Sequence, residues 1–142
     1  MEAKTLLQSW LDRMSVTVLT DDWATYSAHV CLPFRLVTET GDMLVATETE
    51  LRRGFDGFVA ALRSQNVTDY IRLATSARQP DPGRLEGTYE THTLSHGQRV
   101  LPTYRSAITL QRQGDAWRAT AIVNTLNNDR WPIDVPGVTP TL

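Results

Sequence analysis

The sequence predicts an α+β domain with the element order α-α-β-β-α-β-β-β-β, and three observations carry that prediction. Apolar residues recur at helical spacing in three places: from Leu6 to Met14, from Trp23 to Val30 and from Leu51 to Leu62. Two β-rich runs separate the second stripe from the third, and the chain is β in character from Val67 to Asn124. Turn pairs at His96-Gly97 and Gly114-Asp115 join consecutive long runs, so the sheet is expected to be mostly antiparallel.

Each element follows in turn. Leu6, Leu7, Trp10, Leu11 and Met14 make one apolar stripe on a first helix. A second helix is expected to start at Thr20, an N-cap residue type, with Asp21 and Asp22 in its first turn facing the positive end of the dipole. Trp23, Tyr26, Ser27 and Val30 then share a face, and Pro33 is expected to stop the helix. "PFRLVTETGDMLVAT" reads as a hairpin turning at Gly41-Asp42. Thr47 and Glu50 have capping-box spacing ahead of a third helix, whose stripe is Leu51, Phe55, Phe58, Val59 and Leu62. Gly54 and Gly57 inside that helix each cost about 1 kcal/mol relative to Ala, which implies that something approaches the backbone there. The strand run "VTDYIRLATSA" follows, then the turn-rich "QPDPG" and the strands up to Asn124. Residues 1–130 are expected to form a single domain; residues 131–142, "WPIDVPGVTPTL", hold three prolines and are expected to form an extended tail.

Hairpin register assigns faces to the later strands. With His96-Gly97 as the loop, Ser95 faces Gln98, Leu94 faces Arg99, Tyr89 faces Tyr104 and Leu85 faces Ile108. One side then carries Tyr89, Thr91, Tyr104, Ser106, Ile108 and Leu110; the other carries Glu90, His92, Leu94, Arg99, Leu101 and Arg105. The Gly114-Asp115 turn extends the pattern. It places Trp117, Ala119, Ala121, Val123, Thr125 and Asn127 on the apolar side and Ile122, Asn124 and Leu126 on the other. His92 should point away from the core, and His96 should be a turn residue.

Bulk properties narrow the function classes. A chain of 142 residues buries roughly 68% of the surface its unfolded form exposes, enough for one core. Net charge is −2 with no basic stripe, so binding to nucleic acid or an anionic membrane has no electrostatic basis. The N-terminal stretch carries Glu2 and Asp12 and does not read as a signal peptide, and no run approaches the ~18 apolar residues of a membrane span. Cys31 is the single cysteine, which excludes an intrachain disulfide and a thiolate metal cluster. A cytoplasmic location is the expectation. No phosphate loop, histidine cluster at metal-ligand spacing or nucleophile elbow is present, so no metal and no cofactor are expected.

The element order, together with "DDWATYSAHVCLPF", "TETELRRGFDGFVAAL" and the closing "LQRQGDAWR", resembles the nuclear transport factor 2-like superfamily in its SnoaL-like, polyketide-cyclase-like branch. The resemblance covers about residues 3–128. It implies a cone-shaped, cystatin-like fold in which three helices pack on a strongly curved sheet whose concave face helps enclose a pocket. It also implies that the convex face pairs two subunits, here through Leu94, Leu101, Ile122 and Leu126 among charges. Ketosteroid isomerases of this fold use a carboxylate base, a tyrosine and a protonated aspartic acid. The approximately matching positions here hold Thr38, the stretch Trp10–Met14 and Ile108, which argues against that activity.

The candidate site combines both lines of reading. Inward polar groups are expected from Tyr26, Tyr89, Tyr104, Ser106, Thr125 and Asn127, set among Trp23, Phe34, Phe55, Phe58 and Trp117. Such a lining orients a small apolar organic ligand. For acid–base work the assignments are His29 and Tyr26, with Tyr104 as a hydrogen-bond donor; Asp12 falls off the apolar stripe of its helix. Arg35, Arg72 and Arg105 could admit a carboxylate from the rim, although a charge on a strand is usually solvated, and Cys31 is expected as a small core residue. Two functions remain open: a pocket protein serving as a cofactor-free lyase, cyclase, isomerase or binder, and a dimerisation or protein-interaction module whose cavity is filled.

Overall fold

The computed structural model describes residues 2–38 and 41–124. Three helices, α1 (Ala3–Thr20), α2 (Trp23–Ala28) and α3 (Glu48–Ser64), accompany the strands β1 (Val30–Thr38), β2 (Gly41–Val45), β3 (Asp69–Asp81), β4 (Arg84–Ser95), β5 (Gln98–Arg99), β6 (Tyr104–Gln113) and β7 (Ala116–Asn124). The predicted order holds, with the two-residue β5 as an added piece. The sheet runs β2-β1-β7-β6-β4-β3, with β5 beside β4, and all its pairings are antiparallel except β1 with β7. Among the described residues, no helix is long and apolar enough to cross a membrane.

The first helix runs further than expected. Thr20 belongs to α1, because nothing between Met14 and Thr20 breaks a helix, and Asp21 closes it in the left-handed region at φ 58°. Asp22 is the N-cap of α2, its carboxylate accepting from Thr25 N at 3.2 Å. Helix α2 ends at Ala28, so Pro33 lies inside β1 and does not terminate a helix. Thr38 pairs with Gly41, which puts Gly41 and Asp42 in β2 rather than in the turn. At α3 the capping box forms as its spacing demands, with Thr47 and Glu50 each bonding the other's backbone N–H.

Buried Leu7, Leu11 and Met14 carry α1 across the sheet beside β3. Gly87 makes that close approach feasible, since a Cβ there would sit 2.5 Å from Leu7 and 2.7 Å from the Ser76 carbonyl oxygen. Gln8 of α1 clasps edge strand β3, donating to Arg72 O at 2.7 Å and accepting from Ala74 N at 2.8 Å. At the other end of the core, Trp10 donates its indole N–H to Trp117 O.

Two irregularities decide which side chains face the core. At His96-Gly97 both residues take positive φ, 49° and 81°, and Ser95–Gln98 and Leu94–Arg99 pair as predicted. Residues 100–103 then leave the ladder, so Tyr89 pairs with Ser106 and Leu85 with Leu110, two residues away from the expected partners. An even offset keeps every residue on its side. Within the break, however, Leu101 is buried and Pro102 exposed, the reverse of the expectation. The second irregularity is a bulge at Thr120: Leu110 pairs with Ala119 but Thr109 with Ala121. An odd offset reverses the faces beyond it, so Ile122 and Asn124 belong with the inner residues while Ala121 and Val123 face outward. Leu126, Thr125, Asn127 and the proposed tail lie outside the described residues.

Candidate functional site

A cavity of about 160 Å³ opens between α2, α3 and the inner face of the sheet. Its apolar wall comes from β1, β2 and α3, including Phe34, Val45, Leu51, Phe55 and Phe58. The polar wall is Tyr26 of α2, Tyr70 and Arg72 of β3, Tyr89 of β4, Tyr104 of β6 and Asn124 of β7. All four of the chain's tyrosines therefore converge on one space.

Strand β3 supplies the unexpected pair. Its alternation is inverted: Tyr70, Arg72 and Ala74 are buried while Ile71 and Leu73 are exposed. Arg72, only 8% exposed, donates from Nε to Ser15 Oγ at 3.0 Å and lies over the rings of Tyr70 and Tyr89 at 5.3 and 5.6 Å. Burial works against its charge, but the neighbouring phenols of Tyr70, Tyr89 and Tyr104 outweigh it and hold the pKa above the ordinary value. Tyr70 and Tyr89 also present their π faces to the guanidinium.

The phenols are held neutral by the same burial. It pushes Tyr26 up to about 12, raises Tyr89 and raises Tyr104 well above the ordinary value. Each is a hydrogen-bond donor at any physiological pH. Ser106 donates to Asn124 Oδ1, so it buttresses the polar wall from behind. Glu50 also borders the cavity, but its carboxylate accepts from Thr47 N and Oγ1 at 3.2 and 3.0 Å and is committed to the α3 cap.

The sequence-predicted residues divide into groups. Tyr26, Phe34, Phe55, Phe58, Tyr89 and Tyr104 line the cavity. Trp23 stands behind, stacked on Tyr26 and tilted against Phe55. Trp117 packs against the core cluster that contains Trp10 and does not reach the lining. His29 caps the end of α2 and donates its Nδ1 proton to Thr25 O at 2.7 Å; it is not on the cavity wall, a correction to its expected acid–base place. His92 is outside the cavity, beside Glu90, Arg99 and Thr103. Glu90 pairs with Arg105 across the β4–β6 ladder. Arg35 is an exposed partner of Asp42, as a rim charge should be, whereas Arg72 is buried.

Sequence reasoning missed Tyr70 and the burial of Arg72, which it put at the rim, and it missed Ile122 and Asn124. The last two depend on the bulge. The first two carried a signal in "DYIRLA": a charged residue at alternate spacing with a tyrosine is a poor fit to a simple exposed face. The aliphatic pair Ile71 and Leu73 masks it.

No protein-family model and no curated protein matches the sequence. Solved structures do. A nuclear transport factor 2-like protein of unknown function from Shewanella oneidensis superposes with a TM-score of 0.60 at 10% identity, over 82% of this chain and 93% of the other. The fold is nuclear transport factor 2-like. Aln2 from a Streptomyces species matches the same fold at TM-score 0.62 and 18% identity, covering 84% and 86%. A domain of unknown function with a cystatin-like fold from Nostoc punctiforme gives 0.64 at 10% identity, covering 90% and 80%. At such identities the likeness concerns fold, and function has to be argued from the site.

Proposed function

We propose that this nuclear transport factor 2-like chain is a SnoaL-like domain that binds a small organic molecule in its cavity, in a cytoplasmic setting. The observation that carries the reading is the convergence of four tyrosines on a space walled by apolar side chains. A cavity of about 160 Å³ is far below the several hundred cubic ångströms of drug-sized sites, and close to the ~150 Å³ that admits a single benzene ring. The ligand is therefore one ring in size rather than a fused polyketide skeleton.

The lining favours orientation and polarisation over proton abstraction. Phenols held neutral donate hydrogen bonds to a carbonyl or hydroxyl, and such donors stabilise negative charge that develops on a ligand oxygen. A cofactor-free lyase, cyclase or isomerase built on this wall would use Tyr26 and Tyr104 as donors. His29, outside the cavity, is not available to a bound molecule.

Native mass spectrometry of the protein and of Gly54→Phe, which adds a ring at a residue of the cavity lining, tests the reading. A bound single-ring compound, or one captured from a fragment set, should appear with the unaltered chain and fail to appear with the variant. Absence of any bound compound across preparations and fragments would favour the filled-module alternative.

A further inference from the structure

Arg72 poses a question of charge balance. Its guanidinium is more than nine-tenths buried, and among the described residues no carboxylate lies within 4 Å of it. Its hydrogen bond and ring contacts go to Ser15, Tyr70 and Tyr89, none of them a carboxylate. Of its five N–H donors, Nε–H goes to Ser15. The remaining donors belong to a side chain on the cavity wall. Buried charges in proteins are ordinarily paired, and arginine's planar fork matches a carboxylate in particular.

We infer that the ligand of the cavity is an organic carboxylate of single-ring size, its carboxylate paired with Arg72 and hydrogen-bonded by the surrounding tyrosine hydroxyls. This rests on the small-molecule reading above and gives it a chemical class. Three further features agree. The inversion of β3 places Tyr70 and Arg72 inside at the expense of exposing Ile71 and Leu73, a cost that the fold alone does not require. Gln8 clamps the Arg72 carbonyl and the Ala74 N–H, which fixes the strand carrying the guanidinium. The opposite wall, Phe34, Val45, Phe55 and Phe58, is apolar and suits the ring rather than a second charge.

Calorimetric titration with two matched pairs tests the inference: benzoate against benzamide, and cyclohexanecarboxylate against cyclohexanecarboxamide. At least one acid should bind no less than about tenfold more tightly than its amide, and Arg72→Gln should abolish that preference. Because the comparison is made first on the unaltered protein, it stands even if the variant folds poorly. Equal binding of acid and amide would overturn the carboxylate assignment while leaving the small-molecule reading intact. Failure of both acids, with a neutral compound detected by native mass spectrometry, would do the same. Failure of all four probes with no bound compound would overturn both.

Discussion

Tyr26 shows how one side chain ties the cavity to stability. It is partly buried and lines the cavity, and that burial raises its pKa from 10.0 to about 12. A folded value above the unfolded one means that the folded state holds its proton longer. The resulting stability is fully present below pH 10 and is lost as pH rises through about 12. Tyr89 and Tyr104 shift in the same direction for the same reason, so the losses reinforce one another. Alkaline unfolding followed by circular dichroism should therefore begin above pH 10, and Tyr26→Phe should move its midpoint upward. An unchanged midpoint in that variant would mean that the phenol is hydrated in the folded protein. The same scale holds the clearest departure from what the residues predict, since Arg72 lies inside where its charge argues for outside, held by Ser15 and two aromatic faces.

At the level of elements, α3 was fully legible and α2 was not. The Thr47–Glu50 pattern specifies its own geometry through local hydrogen bonds, so it needs nothing distant to form. Thr47→Ala should destabilise the protein by about 1 kcal/mol, read as a lower urea midpoint at unchanged slope. It would also remove the hydroxyl bond to the Glu50 carboxylate while leaving the bond from the backbone N–H of residue 47. An unchanged midpoint would show that the cap contributes nothing. Helix α2 is six residues long and is bounded by Asp21 and Asp22, whose αL and capping conformations depend on how α1 ends against the core. The strands teach a related lesson. Alternation placed Tyr89, Tyr104 and Ile108 inside because the offset at residues 100–103 is even, and misplaced Ile122 and Val123 because the Thr120 bulge makes the offset odd.

For the whole molecule, the outward face of the sheet carries Ile71, Leu73 and Val123, exposed by 40%, 46% and 45%, around Glu90 and His92. Leu101 is buried and Ile122 lines the cavity, so neither serves the outer face as the sequence suggested. We expect this rearranged apolar set to pair two copies of the chain. Sedimentation should give a dimer that Leu73→Glu converts to a folded monomer; a monomer for the unaltered chain at all concentrations would refute the pairing. Across these scales, residue order alone was enough to specify the succession of elements, the capping box, the His96-Gly97 turn and the aromatic lining from Tyr26, Phe55, Phe58 and Tyr89. Those features follow from spacing and local backbone chemistry, for which neighbouring residues suffice. The cavity's size, the phases of β7 and the burial of Arg72 were settled by folding in three dimensions. Each depends on contacts between segments distant in the chain, where one extra residue reverses a face and one serine on α1 receives a charge from β3.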